Sequence, residues 1–261
     1  MNNYPITVIF GGGGFIGRYL TRVLTKKNHR LIIPTRSPFQ KVHLKTQAPP
    51  GHLEFIDFNP GNFSAMKEAI ENADYVINLC GILFENRKQK FNSVHAGIPE
   101  SIAKICSQSK VKKFISVSAL GSSRDSKSKY QQSKFLGEEK ALNNFNKTVI
   151  IRPSVVVGNE DNFTNLFAKM SLSPIIPVVK KSYLFEPIFV NDVAKAILKA
   201  IETKNNEGKI YELGGGRVIS FGDMIKLILS KIGKKRIVAD VPMTLAKIQS
   251  SLLSILPIDP I

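Results

Sequence analysis

Three residues of types that transfer protons stand near the middle of the 261-residue chain. Tyr130 and Lys134 form a Y-x-x-x-K pattern, and a spacing of four places both side chains on one face of a helix. A nearby ammonium lowers the pKa of a tyrosine, so that the phenol can exchange a proton with a carbonyl or an alcohol. Ser118, which directly follows a predicted strand, could orient the substrate oxygen. Ser118, Tyr130 and Lys134 are therefore the candidate catalytic residues, although a Y-x-x-x-K pattern is short enough to occur by chance.

Residues 11–17, with the sequence GGGGFIG, carry a second chemical signal. Gly11, Gly14 and Gly17 form a G-x-x-G-x-x-G pattern directly after a predicted strand and at the start of a predicted helix. Glycine lets the backbone approach a pyrophosphate, and the helix N-terminus supplies N–H groups and the positive end of its dipole. The pattern predicts a dinucleotide site that also includes Phe15 and Ile16.

The end of the second predicted strand indicates which dinucleotide is bound. Domains of this kind that bind NAD(H) usually place an acidic residue about 20 positions after the loop, where it holds the ribose 2′-hydroxyl. This chain has no acidic residue before Glu54, and Arg36 stands where the 2′-phosphate of NADP(H) would lie. A guanidinium binds phosphate through two hydrogen bonds. We therefore expect a preference for NADP(H), with NAD(H) as the alternative if Arg36 is only one more surface cation.

Further cofactor contacts are expected near the ends of later strands. Asp57 could accept a hydrogen bond from the adenine amino group, and Gly81 would let the adenosine ribose approach a strand end. Lys134 could also bond to the nicotinamide ribose. Tyr130 and Pro153 complete the predicted cofactor-binding set.

Short apolar runs alternate with amphipathic stretches, which is typical of βαβ units around a parallel sheet. The pattern predicts strands at 6–10, 31–33, 53–58, 74–79, 113–118, 148–157 and 209–213, with helices after the glycine loop, near residue 100, and at 129–143, 191–203 and 221–232. The predicted fold is an α/β, Rossmann-type doubly wound parallel sheet. We place this domain at residues 1–152 and a smaller C-terminal, substrate-side lobe at 153–261, whose late strand at 209–213 returns to the main sheet.

The chain carries 37 Lys and Arg against 20 Asp and Glu, a net charge of +17. Such a charge attracts nucleic acid, anionic lipid or an acidic protein surface. No nucleic-acid-binding motif accompanies the charge, so we expect no specific nucleic acid and favour a lipid or protein partner. The alternative is a generally basic composition, because the lysines are spread along the whole chain.

The spacing of cysteine and histidine residues and the search for targeting segments exclude several further classes of function. Two cysteines, Cys80 and Cys106, exclude a disulfide framework, and the four histidines, among them His95, lack metal-ligand spacing. We expect no metal site and interpret these residues as packing or surface positions. No apolar signal region or Arg-rich presequence precedes the first strand, and no run of about 18 apolar residues occurs. We therefore expect a cytoplasmic protein.

The C-terminal residues combine a basic run at 234–236 with an apolar helical face formed by Leu245, Ile248, Leu252, Ile255 and Leu256. Such a face could lie on an anionic membrane, at the cytoplasmic face of the inner membrane, or pack against a partner. Packing against its own domain is the third interpretation, and the pattern leaves all three open.

Four longer runs carry a family resemblance: residues 130–138 (YQQSKFLGE), 151–163 (IRPSVVVGNEDNF), 172–177 (LSPIIP) and 186–194 (EPIFVNDVA). Together with the glycine loop and Ser118, they resemble the extended and atypical short-chain dehydrogenases/reductases. Within that group they are most similar to the family of subunit nine of the alpha subcomplex of respiratory complex I (NADH:ubiquinone oxidoreductase) and its bacterial relatives. The resemblance extends over almost the whole chain.

The resemblance implies an accessory or assembly protein near the quinone-reducing arm, with complex I subunits as partners. It also implies NADPH as a tightly bound structural ligand at Gly11, Gly14, Gly17 and Arg36. Tyr130 and Lys134 match the family as well, but in this family the match does not require turnover. The chain departs from the pattern at residues 180–181, where two lysines stand in place of the glycines typical of relatives.

Two functional hypotheses follow. The first is an NADP(H)-binding accessory or assembly protein of complex I. The second is an active NADP(H)-dependent reductase or epimerase, with Tyr130 as proton donor, Lys134 as its electrostatic partner and Ser118 as the carbonyl-orienting residue. The sequence names neither a substrate nor an oligomeric state.

Overall fold

The computed structural model describes residues 4–59 and 62–242, except for the side chains of residues 40–43. Its strands are β1 (Ile6–Phe10), β2 (Arg30–Thr35), β3 (Leu53–Asp57), β4 (Tyr75–Asn78), β5 (Lys113–Val117), β6 (Thr148–Pro153), β7 (Val156–Val157), β8 (Ile175–Val178), β9 (Leu184–Phe185), β10 (Ile188–Phe189), β11 (Ile210–Leu213), β12 (Ile219–Ser220) and β13 (Ile237–Asp240). Its α-helices are α1 (Phe15–Thr25), α2 (Phe63–Ile70), α3 (Ile98–Ser107), α4 (Lys129–Asn144), α5 (Asn162–Met170), α6 (Val190–Glu202) and α7 (Phe221–Lys231). A 3₁₀ helix spans Phe39–Gln47, and a π-helical segment spans Asn92–Gly97.

One parallel sheet of seven strands forms the centre of the fold, in the order β3-β2-β1-β4-β5-β6-β11. The strand order reverses at β1, and in sheets of this kind ligands bind at the carboxyl ends of the strands near that point. The late strand β11 joins the sheet beside β6, with Leu213 level with Pro153. The predicted doubly wound, Rossmann-type α/β fold is therefore confirmed.

Helices cover both faces of this sheet. On one face α2, α3 and α4 bury a core that includes Phe10 and Phe114, and on the other face α1 packs against α6. Every residue of β5 is buried, as expected for a parallel strand covered on both sides. The apolar runs of the sequence are thus the buried strands, and their carboxyl ends form one common edge.

The chain divides into two compact units. The first contains the residues up to Ser154 together with Ile188–Leu213, and the second contains Val155–Pro187 and the described residues from Gly214 onwards. This division differs from the single boundary at residues 152/153 expected from the sequence. The difference arises because α6 packs on α1 and β11 pairs with β6, so both elements belong to the first unit. The second unit has its own core, in which Phe167, Ile176 and Ile225 are buried.

Regular elements occupy part of the stretch after Pro153 that the sequence suggested to be loop-rich. The predicted strand at 148–157 is divided, because β6 ends at Pro153 and the next N–H, of Ser154, donates to Leu213 O at 2.8 Å. Helix α5 begins after Asp161, whose carboxylate accepts the Thr164 N–H. Helix α7 has a side-chain cap, since the Asp223 N–H donates to the Ser220 hydroxyl at 3.1 Å.

Two negative findings concern only residues 4–59 and 62–242. No helix in these ranges is long and apolar enough to cross a bilayer. Nor do these ranges contain a group of three or more His, Cys, Asp and Glu side chains that could hold a metal ion. The apolar face expected at residues 245–256 lies outside the described residues.

Candidate nucleotide-binding and catalytic site

The glycine loop joins the carboxyl end of β1 to α1, at the point where the strand order reverses. Gly11 has a φ of +77°, in the left-handed region that favours glycine. The Gly14 N–H donates to Gly11 O at 3.0 Å and closes the turn. A Cβ at Gly17 would overlap the carbonyl of Gly12, so only glycine lets the first turn of α1 pack directly on the loop backbone.

The first turn of α1 has backbone donors without acceptors. Within the described residues, the N–H groups of Phe15, Ile16 and Gly17 make no hydrogen bond in the chain, and the cap residue Gly14 offers no side-chain oxygen. The cap residues of α5 and α7, by contrast, each supply a side-chain acceptor. Free N–H groups at a helix N-terminus, together with the helix dipole, fit a phosphate group. The loop is therefore suited to the pyrophosphate of a dinucleotide.

Arg36 and Asp57 lie at the same edge of the sheet as the glycine loop. Arg36 follows β2 directly, Asp57 ends β3 level with Thr35, and both Arg36 and Asp57 are exposed. Burial raises the pKa of the Cys80 thiol to about 11, while the positive charges of Lys134 and Arg36 act in the opposite direction. Both cations thus lie near Cys80, so the predicted 2′-phosphate contact and the Y-x-x-x-K helix meet at one edge.

A second guanidinium, that of Arg18, is also placed near this corner. Arg18 follows Gly17 directly, and its Nε is buried without a hydrogen-bond partner among the described residues. Arg22, one turn further along the same helix face, donates through Nε to the Gln47 side chain at 3.1 Å. Gln47 ends the 3₁₀ helix that begins at Phe39, so α1 packs on the segment that follows Arg36. The only sequence signal for Arg18 is a basic residue directly after the third glycine.

Ser118 is buried directly after β5, and its hydroxyl is already engaged. The Ser122 hydroxyl donates to Ala119 O at 2.7 Å, so the hydrogen between the hydroxyls of Ser122 and Ser118, 3.2 Å apart, comes from Ser118. A hydroxyl has a single hydrogen to donate. In this arrangement Ser118 can accept a hydrogen bond but does not direct its own hydrogen at a substrate oxygen.

The Lys134 ammonium is buried at the end of the neighbouring strand. Its Nζ lies 3.5 Å from Val117 O, and Lys134 lines a narrow polar cavity together with Ser118. A Cβ on Gly81 would lie only 3.1 Å from this Nζ, so a glycine at position 81 leaves room for the ammonium. Burial lowers the pKa of Lys134 to about 8. The predicted site residues Gly81, Ser118 and Lys134 are therefore close neighbours.

Tyr130 lies in the first turn of α4 and packs edge-on against two rings. The ring centroids of Phe91 and His95 are 5.8 and 5.2 Å from that of Tyr130. Burial raises the pKa of Tyr130 above its ordinary value. The sequence-based expectation that Lys134 lowers this pKa is therefore wrong, because burial dominates. Tyr130 is also not among the residues that line the cavity shared by Ser118 and Lys134.

His95 is the site residue that the sequence analysis interpreted only as packing or surface. It is 3% exposed, lines the cavity and accepts the Ile82 N–H at Nε2 over 3.0 Å. Its Nδ1 therefore carries the hydrogen, which it donates to the Ser133 hydroxyl at 2.9 Å, and Ser133 donates in turn to Tyr130 O at 2.7 Å. Burial, together with the charge of Lys134, lowers the pKa of His95 to about 4. A neutral histidine thus fixes the loop after β4 to the first turn of α4.

A buried ion pair fixes the same helix to the sheet. Arg152 on β6 donates through Nε and Nη2 to the two carboxylate oxygens of Glu138 on α4, at 3.0 and 2.6 Å. Its Nη1 also donates to Glu212 on β11 at 3.1 Å. Beyond Arg152, the Pro153 carbonyl accepts the Leu120 N–H at 2.9 Å and so orders the segment after Ser118. The Arg152–Glu138 ion pair therefore joins two of the runs that carry the family resemblance, residues 130–138 and 151–163.

The comparison with known families agrees with this geometry. The NAD dependent epimerase/dehydratase family model matches residues 7–214, which contain the glycine loop, the seven-stranded sheet and the Ser118–Tyr130–Lys134 set. The chain belongs to the NAD dependent epimerase/dehydratase family. Every candidate site residue of this family member lies within the matched range.

Curated relatives of this family member include subunits of complex I. The subunit named NADH dehydrogenase (ubiquinone) 1 alpha subcomplex subunit 9 of Mus musculus is 30% identical over 258 residues, 98% of this chain and 68% of the relative. The same subunit of Arabidopsis thaliana is 30% identical over 249 residues, 93% and 61% of the two chains. These matches confirm the family resemblance seen in the sequence. The first five relatives are covered over 60–68% of their own length.

A bacterial relative has a different name. A protein of Caulobacter vibrioides named ceramide reductase is 26% identical over 200 residues, which is 76% of this chain and 61% of the relative. Relatives of this family member thus include both subunits of a respiratory complex and a protein named as a reductase.

Solved structures of epimerases and reductases share the fold. UDP-glucuronic acid 4-epimerase from Bacillus cereus, in complex with NAD, superposes with a TM-score of 0.78 at 20% identity, covering 91% of this chain and 87% of the epimerase. dTDP-4-dehydrorhamnose reductase from Bacillus anthracis, in complex with NADP, gives 0.72 at 17% identity, with 92% and 86% coverage. At these identities the likeness establishes the fold, and the two structures hold different nicotinamide dinucleotides.

Proposed function

We propose that this protein binds NADP(H) at the glycine loop as a structural ligand and acts as an accessory or assembly protein of respiratory complex I. The observation that carries nucleotide binding is the start of α1, where the N–H groups of Phe15, Ile16 and Gly17 have no acceptor in the described chain. Backbone donors placed in this way bind a pyrophosphate without help from a side chain. The family to which the chain belongs supports the same assignment.

The preference for NADP(H) over NAD(H) rests on cations at the end of β2. Arg36 is exposed directly after this strand, and Arg18, directly after the glycine loop, has a buried Nε without a hydrogen-bond partner in the described residues. No acidic residue precedes Glu54 in the sequence to hold a ribose 2′-hydroxyl. Guanidinium groups bind a 2′-phosphate well and gain little from a neutral hydroxyl.

Replacing Arg36 tests this preference. We expect Arg36→Ala to weaken NADPH binding about 10- to 100-fold, the value of one charge-assisted contact, and to leave NADH binding nearly unchanged. Isothermal titration of both nucleotides measures the two constants. Arg30→Ala, at the opposite end of β2, is the matched control and should change neither. Equal affinities of the unmodified protein for NADPH and NADH would contradict the preference.

The accessory role is supported by similarity to complex I subunits over nearly the whole chain and by the resting state of the site. The Ser118 hydrogen is engaged by Ser122 and not directed at a substrate oxygen, and burial raises the pKa of Tyr130, which disfavours the phenolate form that would act as a base. Mass spectrometry of proteins that copurify with the tagged chain from gently solubilised membranes tests this role. Complex I subunits are the expected partners, and their absence from an otherwise intact preparation would contradict it.

An active NADP(H)-dependent reductase or epimerase is the second candidate function. The observation in its favour is the buried Lys134 ammonium, which lines one cavity with Ser118 and has a pKa near 8. The relative named ceramide reductase supports the same chemistry. This function requires NADPH consumption or a redox-neutral product that Tyr130→Phe abolishes while nucleotide affinity is retained. Turnover that survives Tyr130→Phe would exclude the Tyr130 mechanism.

A further inference from the structure

The loop that follows β4 exposes two consecutive apolar side chains. Leu83 is 65% exposed and Phe84 is 77% exposed. The loop is nevertheless held at several points, since the Ile82 N–H donates to His95 and the Phe91 N–H donates to the Glu85 carboxylate at 2.9 Å. An ordered loop that presents Leu and Phe to solvent indicates a surface used for docking rather than a loose segment.

Cations surround this apolar pair. Arg87, Lys88 and Lys90 are exposed, and no ion pair of the described residues involves any of them. Glu85, the one acidic residue between positions 83 and 90, accepts the Phe91 N–H. The loop therefore combines exposed apolar groups with a local excess of positive charge.

A third exposed apolar side chain lies at the same edge of the sheet. Phe39 is 92% exposed and begins the 3₁₀ helix just after Arg36. Strands β2 and β4 flank β1 in parallel, so the segments after their carboxyl ends extend from one edge of the first unit. Phe39 and Leu83-Phe84 thus belong to one rim, which is defined here as the exposed residues 39, 83, 84, 87, 88 and 90.

We propose that this rim docks on an anionic phospholipid membrane, with the apolar side chains at the acyl boundary and the cations among the lipid phosphates. Phe and Leu beside Lys and Arg is the pattern of peripheral membrane binding, because burial of apolar area and attraction to anionic lipid act together. The net charge of +17 adds a long-range attraction to the same surface. A lipid surface is favoured over an acidic protein because the exposed apolar pair and three cations outside every ion pair of the described residues stand within one short loop. The docked rim borders the glycine loop and Gly81, and the proposal does not depend on nucleotide binding.

Vesicle binding by the full chain tests the proposal. We expect sedimentation with phosphatidylcholine vesicles that contain about one third phosphatidylglycerol, and little with phosphatidylcholine alone. Leu83→Ser/Phe84→Ser should lower the bound fraction at least about fivefold, since it removes the exposed apolar pair. Leu172→Ser, an 86% exposed apolar residue of the second unit, is the matched control and should bind normally. Equal binding by the rim variant and the unmodified chain would overturn the proposal, as would failure to bind anionic vesicles.

A fluorescence reporter distinguishes contact at the rim from contact elsewhere. The chain contains no tryptophan, so Phe84→Trp introduces a single emitting residue. Its emission should shift to shorter wavelength on anionic vesicles and be quenched by brominated lipid. Leu172→Trp supplies the control and should show neither change. Vesicle binding without a change at position 84 would assign docking to another surface and overturn the proposal.

Charge variants complete the experiment. Arg87→Gln/Lys88→Gln/Lys90→Gln should abolish the preference for anionic over neutral vesicles, because the cations supply the electrostatic attraction. The matched triple variant replaces the exposed Lys26, Lys199 and Lys204, which lie at the ends of α1 and α6 away from the carboxyl edge. It removes the same charge, so an equal loss of binding would mean that net charge alone is responsible and would overturn docking through the rim.

Discussion

Charge is disfavoured at the side chains that surround the candidate catalytic centre. Burial lowers the pKa of Lys134 to about 8 and that of His95 to about 4, and it raises the pKa of Tyr130. These directions follow from desolvation, which opposes the charged form of each group. The site is therefore built to keep His95 neutral, and its two ring nitrogens hold fixed and opposite hydrogen-bonding roles toward Ile82 and Ser133.

The buried His95 predicts a particular pH dependence of stability. Its folded pKa of about 4 lies below the ordinary histidine pKa of 6.5, so between these pH values the unfolded chain binds more protons. The contribution is fully present above pH 6.5 and is lost as the pH falls towards 4, by about 3 kcal/mol in total. Urea unfolding followed by circular dichroism should show this loss in the unmodified protein and a smaller loss in His95→Gln. Parallel pH profiles for both proteins would contradict the assignment.

Single residues also show how far sequence reasoning extends. The glycine pattern was sufficient to predict Gly11, Gly14 and Gly17 because backbone geometry alone requires them. His95 was missed because its role depends on a 13-residue return of the chain to Ile82 and on Ser133 of α4, which no local pattern shows.

At the scale of elements, α4 is positioned by contacts at both ends. His95 fixes its first turn through Ser133, and Glu138 fixes the third turn to β6 through Arg152. Glu138 is 3% exposed, so its carboxylate depends on Arg152 for compensation of its buried charge. The helix that carries Tyr130 and Lys134 is therefore held rigidly against the sheet.

Glu138→Gln should destabilise the protein by about 2 kcal/mol, because it removes the buried carboxylate that pairs with Arg152 and leaves the exposed Glu212 as the remaining ion-pair partner of that guanidinium. The matched control is Glu139→Gln, which removes an ion pair to the exposed Arg124 and should cost less than about 1 kcal/mol. Chemical denaturation of the three proteins measures both differences. A loss no larger for Glu138→Gln than for Glu139→Gln would show that the buried pair contributes little.

The accuracy of element prediction follows from the kind of signal each element carries. Buried parallel strands such as β1 are mostly apolar in sequence and were predicted to within one residue. Short strands of the second unit, such as β9 and β12, contain two residues each and have no periodicity to detect. Lys180 adopts a φ of +55°, which agrees with the glycines that relatives tend to have there. A left-handed backbone conformation is unfavourable for a residue that has a Cβ, such as Lys180. The family resemblance could indicate this conformation, whereas the periodicity of apolar residues could not.

At the scale of the whole molecule, the first unit is formed by two separate stretches of the chain, because Ile188–Leu213 returns to it after the first part of the second unit. The sequence predicted the return of 209–213 to the main sheet but placed the helix before it in the smaller lobe. The packing of α6 on α1 is a long-range contact, and amphipathicity shows only that a helix buries one face, not which partner covers it. Nearly all predicted cofactor and catalytic residues lie in the first unit as a result of this return and of the parallel register.

The nucleotide that the protein carries from the cell is the most direct test of the central proposal. Protein purified without added nucleotide is denatured, and the released small molecules are identified and quantified by mass spectrometry. We expect NADP(H) in stoichiometric amount from the unmodified chain, much less from Arg36→Ala, and none from Gly17→Ala, in which the new Cβ overlaps the Gly12 carbonyl. Release of NAD(H) would contradict the role of Arg36, and release of no nucleotide from the unmodified, folded protein would contradict NADP(H) as a structural ligand.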